Sequence, residues 1–124
     1  MTHALILFAH GARDPQWSQP FERVAEQVRA LHPGTMVRLA FLEFMPPTLA
    51  QAGAEVAQAG ATSVSVVPMF LGAGGHVRRD LPALLQALQQ QHPQVRWSLR
   101  PAIGEAPAVI EAMAREVADP GDAK

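Results

Sequence analysis

The sequence predicts an α/β fold, a three-layer αβα domain built on a four-stranded parallel sheet. Apolar runs of strand length alternate with segments in which apolar residues recur at every third or fourth position. Four such strand–helix units give helices on both faces of one sheet, because crossover connections are short and right-handed. The predicted strand order is 2-1-3-4, which places the first and third strands side by side where the order reverses.

The first half of the chain supplies two strands and two helices. Residues 4–9 form a continuous apolar run, which is typical of a strand buried on both faces. The next apolar pattern predicts a helix over 17–31, and His32-Pro33-Gly34 ends it because proline cannot continue a helix. The pattern then predicts a second strand over 35–42 and a short helix that begins at Pro46-Pro47 and ends at Gly60.

The second half repeats this alternation. A third strand is predicted over 62–70, with Pro68 at a bulge or at the last turn of the strand, because proline lacks the N–H that a ladder needs. Asp80-Leu81-Pro82 predicts the start of the next helix, since Asp can cap and proline costs no bond in a first turn. A fourth strand over 95–99 and a last helix around 107–117 follow. The predicted buried stripe of that last helix is Val109, Ile110, Met113, Ala114 and Val117.

Composition excludes several classes of protein. The 124 residues are expected to form one domain over 1–117, with a flexible tail over 118–124. The absence of cysteine excludes disulfides, thiolate metal sites and cysteine nucleophiles. A formal net charge of −1 gives no general attraction to nucleic acid or to an anionic membrane. Neither a signal sequence nor a run of the ~18 apolar residues of a membrane helix is present, so a cytoplasmic protein is expected.

Two histidines stand where buried strands end. His10 follows the first strand, and His76 follows the third strand and a glycine-rich stretch. Ligands of open parallel sheets bind outside the carboxyl ends of the strands, near the point where strand order reverses. Histidine is the commonest metal ligand, and Glu43, directly after the second strand, adds a carboxylate. Two histidines and one carboxylate accept Co²⁺, Ni²⁺, Fe²⁺ or Zn²⁺, although each residue alone is also compatible with a solvated loop position.

Charged residues nearby have two interpretations each. Asp80 can orient the His76 imidazole or cap a helix. The two candidate loops contain three arginines that can bind substrate carboxylates through paired hydrogen bonds, Arg13, Arg78 and Arg79. Arg78 and Arg79 are also compatible with an exposed pair that has no ligand. No phosphate-binding loop motif is present, so no nucleotide is expected. Four larger apolar residues can wall a flat ligand, but core packing is the favoured interpretation for each: Trp17, Phe44, Met45 and Met69.

Three segments resemble the small sirohydrochlorin chelatases of the CbiX-like family, and the third segment is the most specific. They are Leu5–Pro15 (LILFAHGARDP), Ala40–Glu43 (AFLE) and Val67–Pro82 (VPMFLGAGGHVRRDLP). Ala12 stands where the family pattern commonly has serine. The resemblance implies a chelatase fold and an enzyme that inserts a divalent metal, with Co²⁺ favoured and Ni²⁺ or Fe²⁺ also accepted, into sirohydrochlorin or a related tetrapyrrole.

The resemblance also implies roles and an assembly. His10 and His76 become the catalytic histidines, Glu43 lies near the metal, and the protein forms a homodimer. Two other readings stay open. One is a metal or tetrapyrrole carrier without turnover. The other is a histidine-dependent phosphatase with His10 as phosphoryl acceptor. Ala9 argues against it, because such enzymes usually have arginine directly before the histidine.

Overall fold

A computed structural model of the protein describes residues 2–72 and 74–121, apart from the side chain of His76. Its sheet is parallel and has the order β2-β1-β3-β4, which confirms the predicted topology. The strands are β1 (His3–Ala9), β2 (Met36–Phe41), β3 (Ser63–Pro68) and β4 (Arg96–Leu99). The helices are α1 (Gln19–Leu31), α2 (Leu49–Gln58), α3 (Gly75–Gln91) and α4 (Pro107–Ala118), with 3-10 turns over Pro15–Ser18 and Ile103–Glu105.

Alternate residues of the strands face two separate cores. Ile6 and Phe8 of β1 lie in the larger core, which α2 and α3 cover. Leu7, one residue along, lies in the smaller core with Ala25 of α1, since successive strand residues point to opposite faces. β1 is therefore buried on both sides, as its continuous apolar run predicts.

Pro68 is the last residue of β3, where it stands beside Phe8 of β1. The next residue, Met69, donates its N–H to the carbonyl of Phe8 at 2.7 Å. The ladder thus continues immediately after the proline, and the prediction that Pro68 lies at the end of the strand is confirmed.

The predicted start of α3 at Asp80 is wrong. The helix begins at Gly75, with Gly74 as its N-cap, and Pro82 lies inside it. The apolar stripe of the helix starts earlier than Leu81, because Val77 packs against the same core one turn before. Pro82 removes only the bond that an N–H at this position would donate to the Arg78 carbonyl, and packing of the stripe outweighs that loss.

The predicted start of α2 at Pro46-Pro47 is also wrong, because Thr48 caps the helix. Its hydroxyl accepts the N–H of Gln51 at 3.1 Å, and the Gln51 side chain accepts the N–H of Thr48 at 2.9 Å. This reciprocal capping box satisfies two donors at the helix start. Pro47 instead belongs to the preceding loop, where its carbonyl accepts the N–H of Phe41.

α4 has nearly the predicted bounds, but the prediction that its apolar stripe is buried is wrong. Ile110 is 50% exposed and Val117 is 85% exposed. The helix packs mainly against the Ile103–Glu105 turn rather than the sheet, and none of its own residues is buried. Residues 119–121 follow without regular structure, and 122–124 of the predicted tail lie outside the described residues. None of the described helices has the length and apolar character that crossing a bilayer requires.

Candidate functional site

Glu43 is fixed beside His10 by backbone hydrogen bonds. The β1–β2 ladder continues past the strand ends, where Leu42 donates its N–H to the Ala9 carbonyl at 2.9 Å. Glu43 then donates its N–H to the His10 carbonyl at 3.1 Å. The backbones of His10 and Glu43 are therefore adjacent at the carboxyl edge of the sheet, as the sequence predicted.

Gly11 allows this close approach. Its φ of +89° lies in the left-handed region, which side chains of L-residues rarely adopt. A Cβ atom at this position would lie 1.9 Å from the carbonyl oxygen of Glu43. Glycine is therefore required both by the backbone conformation and by the contact with Glu43.

The His10 imidazole is exposed and rests on an aromatic ring. It stacks on Phe70 with ring centroids 4.2 Å apart and an angle of 27° between the planes. Phe70 is only 2% exposed, so the surrounding core holds it in place. Among the described residues, neither ring nitrogen of His10 has a hydrogen-bond partner. The stacking fixes one face of the imidazole and leaves its nitrogens available to a ligand.

His76 lies in the first turn of α3, and not in the loop that the sequence predicted. Its side chain is outside the part that the structure describes. Asp80 follows four residues later, so the two positions share one face of the helix. Because Asp80 is inside α3, its alternative role as a helix cap is excluded, whereas a role beside His76 stays a prediction.

A cavity of about 310 Å³ separates the ends of β1 and β2 from α3. Glu43 and Asp80 are the two acidic residues of its lining, and the other lining residues are apolar. The lining residues are Phe8, Leu42, Glu43, Val77, Asp80, Leu81 and Leu84. A volume of this size is at the lower end of those of ligand pockets, so only part of a large ligand can enter it.

A larger groove of about 510 Å³ runs along β2, the edge strand, between α1 and α2. Charged residues such as Glu22, Arg38 and Glu55 line it, and Arg38 and Glu55 form an ion pair there. None of the predicted site residues whose side chains are described borders this groove. Size alone therefore does not locate the site in this protein.

The three predicted substrate-binding arginines have different surroundings. The guanidinium of Arg13 lies over the ring of Phe44, 5.1 Å from its centroid. Arg78 is in α3 rather than in a loop, and its Nη2 lies 3.8 Å from a carboxylate oxygen of Glu105. Arg79, also in α3, is exposed. Arg13 thus lies towards β2 and Arg78 towards the turn after β4, on opposite sides of β1 and β3.

No group of three or more metal-binding side chains occurs among the described residues, a set that leaves out the His76 side chain. The ligand set of His10, His76 and Glu43 therefore stays a prediction. The structure places the backbones of His10 and Glu43 together and puts His76 at the start of the helix that closes the cavity.

Of two aromatic residues at this edge, Phe70 was not predicted as a site residue, and Phe44 was considered as a wall for a flat ligand but was not the favoured assignment. Phe70 stacks on His10. The sequence signal that could have indicated this contact is the position of Phe70 just after β3, the strand beside β1. Phe44 was assigned to core packing, which is wrong, because its ring is 56% exposed. Its position directly after Glu43 was the signal that could have placed it at the site.

The fold and the site together define a doubly wound α/β protein with a histidine and carboxylates at the point where strand order reverses. The sequence model of one family, CbiX, matches residues 4–120, which is nearly the whole chain. The protein therefore belongs to the CbiX family.

Two relatives share the name sirohydrochlorin cobaltochelatase. A sirohydrochlorin cobaltochelatase of Methanocaldococcus jannaschii is 36% identical over 89 residues, which cover 72% of this chain and 62% of that protein. The enzyme of the same name from Saccharolobus solfataricus is 36% identical over 93 residues, or 75% of this chain and 70% of that protein. The match to the M. jannaschii protein thus spans less than two thirds of its length.

Solved structures show the same architecture. A CbiX protein of Marinobacter aquaeolei VT8 superposes with a TM-score of 0.81 at 33% identity, covering 93% of both chains. SirB from Bacillus subtilis, solved with Fe³⁺, has a TM-score of 0.81 at 27% identity and covers 98% of this chain but 48% of SirB. A cobalt complex of the sirohydrochlorin chelatase SirB gives a TM-score of 0.80 at 26% identity, with 94% and 50% coverage.

Proposed function

We propose that this protein is a sirohydrochlorin chelatase that inserts a divalent metal into sirohydrochlorin or a related tetrapyrrole. The observation that carries the proposal is the CbiX match over residues 4–120, which includes His10, Glu43 and His76. The relatives named sirohydrochlorin cobaltochelatase favour Co²⁺ as the metal substrate. Ni²⁺ and Fe²⁺ remain compatible with nitrogen and oxygen ligands.

The reaction exchanges two protons for one metal ion. Two pyrrolic N–H bonds break, two metal–nitrogen bonds replace them, and the other two ring nitrogens complete the coordination. In the proposed mechanism the imidazoles of His10 and His76 bind the incoming ion in place of part of its water shell. They then accept the pyrrolic protons as the ion leaves them. The Phe70 ring supports this role because it holds the His10 imidazole at a fixed tilt.

Glu43 supplies a carboxylate as a third ligand or as a proton relay. The support is its backbone bond to His10 and its place on the 310 Å³ cavity. Asp80 lines the same cavity and is proposed to orient His76 from one helical turn away. No step of this exchange uses a nucleotide, so we propose that the reaction runs without ATP.

A tetrapyrrole rich in carboxylates suits the cations at this edge. Arg13 and Arg79 are exposed and can pair with substrate carboxylates. Arg78 already lies near Glu105, so it is proposed to exchange this partner for a carboxylate of the substrate. The macrocycle exceeds the cavity and therefore lies across its mouth.

We further propose a homodimer. The support is the difference in chain length. The superposition with SirB covers 98% of this chain but only 48% of SirB. Two copies would supply the amount of chain that SirB contains in one. The proposal does not depend on which faces meet.

Anaerobic turnover tests the proposed activity. Purified protein is mixed with sirohydrochlorin and Co²⁺, and the absorbance of the metallated macrocycle is compared with a protein-free control. We expect several product molecules per protein at a rate above the control. Ni²⁺ and Fe²⁺ are assayed in parallel, with no nucleotide present.

The same experiment separates an enzyme from a carrier. A carrier would stop when product equals protein, whereas a chelatase continues until one substrate is exhausted. Failure to exceed the protein-free rate with all three metals would overturn the proposed activity.

A further inference from the structure

Phe44 has a conformation that its own side chain disfavours. Its φ is +72°, in the left-handed region, which is an outlier for a bulky residue. Such strain persists only where the surroundings impose it. Here the backbone just before Phe44 is held by the bond from Glu43 to His10 and by the contact of the Glu43 carbonyl with Gly11. The strained residue therefore directly follows Glu43, which lines the 310 Å³ cavity.

The strained backbone turns an aromatic ring outward rather than into the core. Phe44 is 56% exposed, although Phe8 and Phe41 nearby are almost completely buried. Burying an aromatic side chain would stabilise the fold, so this position gives up that stabilisation as well. A residue that is both strained and exposed contributes little to folding, which points to a role outside folding.

Arg13, in the loop after β1, contacts the ring of Phe44. Its guanidinium lies 5.1 Å from the ring centroid, in the range of cation–π contacts. The contact covers part of the ring and leaves its remaining surface to solvent. An aromatic plane and a cation that can bind a carboxylate thus stand together, one residue beyond Glu43.

We propose that Phe44 is a substrate-contact residue that stacks against the plane of the tetrapyrrole, with Arg13 pairing a carboxylate at its rim. This inference rests on the proposed function and assigns a residue that binds the macrocycle rather than the metal. A flat conjugated ligand stacks on an aromatic ring in an offset arrangement. The 310 Å³ cavity beside Glu43 is too small to enclose a macrocycle, which leaves such a surface outside the cavity to hold it.

Binding of the metal-free macrocycle tests the inference without turnover. Sirohydrochlorin is titrated into wild-type protein and into Phe44→Leu, and its absorbance change gives Kd. Loss of one stacking contact should raise Kd roughly threefold to tenfold. Phe44→Trp should bind as well as wild type. Leu31→Ala, an equally apolar change at a 74% exposed residue at the far end of α1, should leave Kd unchanged.

Two further readouts exclude a merely structural role. In turnover assays Phe44→Leu should raise KM for the macrocycle while KM for Co²⁺ and kcat stay near wild type. Phe44→Gly, which accepts a positive φ, should unfold in urea at the same concentration as wild type or a higher one while its Kd rises.

Each result decides between the proposals. If wild type turns over and Phe44→Leu binds the macrocycle normally, the stacking inference is wrong and the chelatase proposal stands. If the variant instead alters only the mass of the assembly, Phe44 is a contact between chains and the inference is also wrong. If wild type neither binds nor metallates sirohydrochlorin, both proposals fail together.

Discussion

At the scale of single residues, the candidate site depends on contacts that involve backbone more than side chains. The His10 carbonyl holds the N–H of Glu43, and Gly11 packs against the Glu43 carbonyl. A carboxylate positioned through its own backbone keeps its oxygens available for a ligand. Substitutions that leave both side chains unchanged can therefore still disturb the site.

Gly11→Ala should destabilise the protein by about 1–3 kcal/mol, because the new Cβ meets the Glu43 carbonyl and φ is positive. Metallation should fall as well, since Glu43 must move. Urea unfolding measures the first effect. Gly34→Ala is the matched control, because no atom lies within 4 Å of its added Cβ. Equal unfolding midpoints for the two variants would contradict the predicted contact.

His76→Ala should lower kcat about 10²- to 10⁴-fold, the range typical of a group that accepts or donates a proton in the reaction. The fold should survive, because alanine is a good helix former in the first turn of α3. Circular dichroism checks the fold and the anaerobic assay checks the rate. His32→Ala, at the exposed end of α1, should retain the wild-type rate. A His76→Ala enzyme of normal activity would refute the assigned role.

At the scale of elements, an amphipathic pattern predicted that a segment is a helix but not which part of the protein its apolar face packs against. α3 and α4 both have apolar stripes, yet Leu81, Leu85 and Leu88 of α3 are buried while the stripe of α4 is exposed. The spacing of apolar residues indicates only which of them share a face of a helix. Whether that face meets the sheet depends on the connection before the helix, and here the Ile103–Glu105 turn takes the place of the sheet.

The same substitution in two helices tests this difference. Val56→Ala in α2 should cost about 2–3 kcal/mol, because Val56 is fully buried and the change removes two methyl groups and leaves a cavity. Val117→Ala in α4 should leave the free energy of unfolding within about 0.5 kcal/mol of wild type. Urea unfolding of both variants provides the comparison. A large loss for Val117→Ala would show that its side chain is covered in solution.

At the scale of the whole molecule, strand order could be predicted because it follows from general rules of handedness and connection length. The meeting of His10 and Glu43 followed from that order. The start of α3 could not be predicted in the same way, since local capping signals at Asp80 competed with a stripe that extends back to Val77. The exposure of Phe44 was also beyond prediction, because a positive φ at a bulky residue contradicts local preference.

A homodimer should have a mass of about twice the 13.3 kDa of one chain. Light scattering coupled to size exclusion measures this mass directly, and dilution shows whether the assembly is in equilibrium with single chains. A mass of 13.3 kDa at assay concentration, together with full turnover, would show that one chain suffices.

Pro82 has a consequence for the motions of α3. Because no amide hydrogen is present there, the turns before and after it share one fewer bond than neighbouring turns of an ordinary helix. Opening of the helix from its beginning therefore has a natural stopping point at the proline. If the turn that contains His76 opens, Val77 leaves its place against the core, whereas Leu85 and Leu88 beyond the proline stay packed.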